Sequence, residues 1–197
     1  MNEEETKELN IIKEEETYLT ALSDFGIEGV EVNPAIIPIP LVRLVQGTSQ
    51  NIEIEDGKDA AVGTFHFSDT KTAVEKLEFI LLKAKQTKAT FERDGEMVTV
   101  DKMLLLGYLK ESDKVFILSL PATSFSPFGS LIARLKDKKV KKIYEYGVIA
   151  TSLKTENEKG KFYIINFELG NPLNEKEIKD YDSLAQKYSS SLKGQTV

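Results

Sequence analysis

Apolar and polar positions change their period several times along the chain. Over residues 3–23, Leu9, Ile12, Leu19 and Leu22 fall on spacings that share one helical stripe among Glu and Lys, which predicts an amphipathic helix. Gly26 and Gly29 end it. Pro34, Pro38 and Pro40 make 26–40 a linker, because proline cannot donate to a helix interior or a central strand. A short strand is expected over 41–45, and the polar, acidic stretch 46–60 reads as loop.

From there the pattern turns to β. Residues 62–67 alternate, and 77–82 carry the apolar content of a buried strand. Arg93-Asp94-Gly95-Glu96 between two β-prone arms marks a hairpin over 89–100. Strands follow at 103–109 and 115–120. Ser126-Pro127-Phe128 reads as an N-cap with proline at the first helical position, so a helix is expected to about residue 139, burying Phe128, Leu131, Ile132 and Leu135. Long strands are expected over 143–153 and 161–169, joined by a polar turn. Asn174 with Glu177 three residues on is a capping-box signature for a helix over about 175–189, and the last residues read as a frayed tail.

Three strands, a helix and two strands is the element order of the OB-fold, a five-stranded barrel that binds oligonucleotides. The expected fold is therefore β-rich α+β: an OB-like five-stranded barrel with a helix between strands three and four, plus N- and C-terminal helices. The expected division is an acidic helical arm and linker over 1–40, the OB-like domain over 41–170, and a C-terminal helix and tail over 171–197.

Composition narrows the chemistry. No cysteine is present, which removes disulfides, thiolate metal sites and cysteine nucleophiles. His66 is the one histidine, flanked by Phe65 and Phe67 that point to the opposite face of its strand. No Gly-rich phosphate loop, dinucleotide fingerprint or nucleophile elbow occurs. The expectation is a protein that is not an enzyme and has no metal or cofactor. The acidic start and the short apolar runs predict neither export nor membrane insertion, hence a cytoplasmic protein.

The net charge of -6 is unevenly spread: residues 1–60 carry -10, 61–170 carry +4, and the remainder is neutral. Charge alone favours a solubilising arm on an ordinary domain. The basic run is more specific. Arg134, Lys136, Lys138, Lys139, Lys141 and Lys142 are opposed only by Asp137, and Lys83, Lys85 and Lys88 form a second group. The run serves equally as a complement to a helix dipole or as a phosphate contact. Tyr144 and Tyr146 share a strand face by the period of two, and Phe91 and Tyr108 are further rings on which bases could stack. Lys154, Lys159 and Lys161 border the last turn.

Three stretches resemble a family of phage-encoded proteins found near recombination and replication genes. One is Ile37-Pro38-Ile39-Pro40-Leu41-Val42-Arg43-Leu44-Val45, continuing to Ser49. Another runs from Ser126 to Leu135, and the third from Tyr146-Gly147-Val148-Ile149 to Phe162-Tyr163. Together they cover less than half the chain. The resemblance implies a sequence-tolerant single-stranded DNA-binding protein of phage replication or recombination. Its expected partners are single-stranded DNA, replication or recombination proteins and further copies of the chain, with no membrane. Many single-strand-binding proteins end in an acidic tail tipped by an aromatic residue, whereas this chain ends Gly194-Gln195-Thr196-Val197 and carries its acidic arm at the other end. The alternative is a β-rich viral structural or assembly protein that binds no nucleic acid.

Overall fold

The computed structural model describes residues 39–47, 52–93, 95–158, 160–188 and 192, with the backbone alone for 91–93. The helix expected over 3–23, most of the linker, Lys159 and most of the tail lie outside the described residues. Pro40–Ala185 form one compact unit; Ile39, residues 186–188 and Leu192 belong to a second that lies mostly outside the described residues.

In chain order the elements are β1 (Leu41–Leu44), β2 (Phe65–Phe67), β3 (Ala73–Val74), β4 (Lys76–Arg93), β5 (Glu96–Leu109), β6 (Lys114–Pro121), a 3-10 turn (Ala122–Ser124), α1 (Phe125–Asp137), β7 (Tyr146–Asn157), β8 (Gly160–Pro172) and α2 (Glu175–Lys187). The strands form one mixed sheet in the order β3-β2-β1-β6-β5-β4-β7-β8.

This corrects the expected five-stranded OB-like barrel. The succession of three strands, a helix and two strands is present in β4, β5, β6, α1, β7 and β8, but the sheet they join has eight strands among the described residues. The reason lies at the edge of β6. A five-stranded barrel would need that edge for a strand of the β7–β8 pair. Here β1 occupies it in parallel, with Leu41 opposite Ile117 and Val42 opposite Leu118. β2 and β3 then extend the same side, so the sheet curls into a half-barrel. The stretch 77–100 also differs from its reading as a strand followed by a hairpin insertion. β4 and β5 are one continuous hairpin, paired from Ile80–Tyr108 to Arg93–Glu96, with a bulge between Leu81 and Lys83. Beyond Thr87 and before Lys102 it is a two-stranded ribbon, since β7 pairs only with 76–80 and β6 only with 102–109, and Thr87 stands opposite Lys102.

One face of the sheet holds the main core cluster. Val42, Phe65, Leu77, Phe79, Leu81, Leu105, Phe116, Leu118, Ala150 and Phe167 of the sheet meet Phe128, Leu131 and Leu135 of α1. Phe116 sits edge-on to Phe67 and Phe79, at centroid separations of 6.1 and 5.4 Å. Gly107 makes room for it, since a Cβ there would lie 2.5 Å from the Phe116 ring. α1 is fastened to β8 by the edge-on pair Phe128–Phe167, 5.6 Å apart. On the other face Ile80, Leu104, Leu106 and Ile117 are buried as well. A strand buried on both faces reads as an unbroken apolar run, as Met103–Leu106 does.

The free edge of β8 is capped by side chains. Gln46 Nε2 donates to the Tyr163 carbonyl at 2.7 Å, and Tyr163 N–H donates to Gln46 Oε1 at 2.9 Å. One amide thus stands where a neighbouring strand would. Ile165 N–H donates to Ser124 Oγ at 3.0 Å. Ser124, not the expected Ser126, is the N-cap of α1, and its side chain makes no capping bond because Ile165 engages it.

Candidate functional site

α1 ends at Asp137, with Arg134 and Lys136 in its last turn and Lys138 as C-cap. Lys139 adopts a positive φ of 56°, which stops the helix. Arg134, Lys136, Lys138, Lys139 and Lys141 are all exposed. Among the described residues none of these five side chains has a salt-bridge partner. A helix dipole acts within the last turn. Arg134, Lys136 and Lys138 satisfy it, whereas Lys139 and Lys141 lie beyond it. Glu145 folds the turn by accepting from the Lys141 and Lys142 N–H groups, both at 2.8 Å.

The turn leads into a polar junction with α2. Lys142 Nζ lies 2.7 Å from Asp182 Oδ2, and the Tyr144 hydroxyl donates to Asp182 Oδ1. Lys142 also sits over the Tyr144 ring, 5.6 Å from its centroid. The Asp182 bond holds the Lys142 ammonium above the usual lysine range, and Lys142 in turn holds the Asp182 carboxyl below the usual range. Burial raises the Tyr144 phenol. Tyr144 precedes β7 instead of lying in it, and it is buried. Tyr146 begins β7 and packs against the core.

A second junction joins α2 to the end of β5. The Tyr108 and Tyr181 rings are 5.5 Å apart and tilted by 52°. Lys110 Nζ is 2.7 Å from Glu177 Oε1 and 5.6 Å from the Tyr181 centroid. Burial, then the hydrogen bond from its hydroxyl to Asp113 Oδ1 at 2.7 Å, pushes Tyr108 up to about 12. α2 itself begins with the expected reciprocal cap: Glu177 N–H donates to Asn174 Oδ1 and Asn174 N–H to Glu177 Oε2, both at 3.0 Å.

The remaining expected residues fall elsewhere. Lys83 and Lys85 are opposite Leu106 and Leu104, on the face away from the core cluster, while Lys88 is opposite Asp101 on the other face. Phe91 is opposite Val98 in the ribbon, and its side chain lies outside the described residues. Lys154 and Lys161 are exposed near the β7–β8 turn. Lys154 is eight residues beyond Tyr146, roughly 26 Å along the strand at ~3.3 Å per residue. The expected residues therefore make four groups, not one groove: the basic turn with Tyr144 and Tyr146, Tyr108 against Tyr181, the β4–β5 hairpin, and the β7–β8 end.

Sequence reasoning misses Lys110, Glu177 as an ion-pair partner, Tyr181 and Asp182. Glu177 and Tyr181 are four apart, hence on one helical face, but nothing local pairs Glu177 with a lysine 67 positions away. A cleft of about 920 Å³ adjoins Lys110, bordered by Phe67, Lys76, Glu78, Lys114 and Leu169. Its lysines are matched by carboxylates, Lys76 by Glu78, Lys114 by Asp69 and Lys110 by Glu177. On the basic turn, by contrast, five cations within eight residues have no salt-bridge partner among the described residues. No helix among the described residues is long and apolar enough to cross a membrane. No protein-family model, curated protein or solved structure matches the chain.

Proposed function

We propose that the protein binds single-stranded nucleic acid, DNA foremost, through the basic turn 134–142. The observation that carries this reading is the set of five exposed cations, two of them past the reach of the helix dipole, with no carboxylate partner among the described residues. Holding like charges this close costs energy unless an anion supplies the counter-charge, and a phosphate backbone does so while releasing its own counterions. Tyr108 and Tyr144 are engaged inside the protein, so cations carry more of the binding than stacked rings.

The test is fluorescence anisotropy with a labelled oligothymidylate at low salt, with duplex as control. Lys138→Ala, Lys139→Ala and Lys141→Ala should each lower the slope of log affinity against log salt by roughly 0.7, the value for one single-strand phosphate contact. Tighter binding to duplex, or no binding to either, sinks the reading.

A further inference from the structure

α2 brings to the body the same chemistry that a nucleic-acid strand would bring. Glu177 places a carboxylate on Lys110, Tyr181 places a ring against Tyr108, and Asp182 places a second carboxylate on Lys142 and Tyr144. The two carboxylates are five residues apart, ~7.5 Å along a helix axis. No residue of α2 is fully buried, although Ile178, Tyr181, Leu184 and Ala185 are half-buried. A helix with no fully buried residue, whose ion pairs remain partly exposed, is held more weakly than a core element, and salt weakens the ionic part further. The chain enters α2 through Pro172, Leu173 and Asn174, where Leu173 N–H is tied to the Glu145 carbonyl at 2.9 Å. Leu173 and Asn174, which follow the last paired residue of β8, can serve as a hinge while β8 stays in the sheet.

We propose that α2 is an intramolecular competitor, covering Lys110, Tyr108 and Lys142 when no ligand is bound and giving them up to a single strand that already holds the basic turn. The inference rests on the proposed function and adds its regulation. Lys142 continues the basic turn directly, so a strand bound at Lys138, Lys139 and Lys141 reaches the competitor first at Asp182. The ligand must displace α2, so its apparent affinity is reduced by the fraction of molecules in which α2 is released.

The experiment compares the full chain with the double variant Glu177→Gln, Asp182→Asn. Glutamine at position 177 keeps the capping box, so the helix itself is retained, which circular dichroism checks. Anisotropy with labelled oligothymidylate should show the double variant binding about tenfold more tightly at low salt, within the range such couplings reach. Hydrogen exchange on the unaltered chain should show residues 175–185 losing protection when oligothymidylate is added. Equal or weaker binding by a folded double variant, with protection of α2 unchanged by ligand, overturns the competitor and leaves the basic turn standing. Absence of binding by both proteins overturns the proposed function and the competitor with it.

Discussion

His66 stands opposite Arg43 in the β1–β2 pair, and its Nε2 is buried without a hydrogen-bond partner. Burial is the main reason its imidazole is held below the usual histidine range; Arg43 adds to the effect, and a backbone hydrogen bond with Glu53 opposes it. The unfolded chain takes up a proton near pH 6.5, whereas the folded protein takes it up only at lower pH. Stability is therefore full above that range and falls as pH drops through it. Urea unfolding at about pH 7.5 and 5.5 should show the midpoint falling in the unaltered protein. His66→Gln should remove that part of the fall, and an identical fall in both proteins would rule the histidine out. Among the tyrosines, distance along the chain decides what a local pattern can reach. The period of two puts Tyr144 and Tyr146 on one face only if both lie in a strand, and Tyr144 does not. Its hydroxyl is satisfied by Asp182, 38 residues away, a partner invisible to local pattern.

At the scale of elements, what was legible was whatever local chemistry decides. The alternation of Phe65, His66 and Phe67, the cap formed by Asn174 and Glu177, and the burial of Phe128, Leu131 and Leu135 on α1 all depend on neighbours within a few residues; Ile132, expected on the same buried face, is exposed instead. The sheet order depends on pairings between distant strands, and these could not be read. β1 is four residues long, too short a signal to reveal that it takes the edge of β6. The β8 edge was equally hidden, because its cap is a side chain in a loop. Gln46→Ala should remove both bonds to Tyr163 and leave its N–H and carbonyl short of partners, at a cost of about 1–3 kcal/mol. It should also open an edge to pairing with other chains. Chemical denaturation measures the first effect and light scattering the second. A variant as stable and as monodisperse as the parent would show that the curl of the sheet closes without Gln46.

At the scale of the whole molecule, charge is the property that sequence gives most directly. Residues 1–25 carry a net charge of -6, so the rest of the chain is neutral overall. A nucleic-acid ligand approaching the basic turn meets the field of all charges within about a Debye length, ~10 Å at 0.1 M salt and ~30 Å at 0.01 M. At low salt the acidic segment therefore opposes association wherever it resides, and near physiological salt most of that opposition is screened. Deleting residues 1–25 should raise the association rate with oligothymidylate at low ionic strength by on the order of tenfold, with the gain shrinking as salt is added. It should also lower solubility near neutral pH, because a chain of zero net charge loses its self-repulsion. Stopped-flow anisotropy across a salt series, together with hydrogen exchange, separates this from the α2 competitor. A field effect appears as a faster association of the chain lacking residues 1–25 with α2 exchange unchanged, whereas release of the competitor appears as lost protection of residues 175–185. A gain that persists unchanged at high salt would mean that residues 1–25 act by contact instead of by charge.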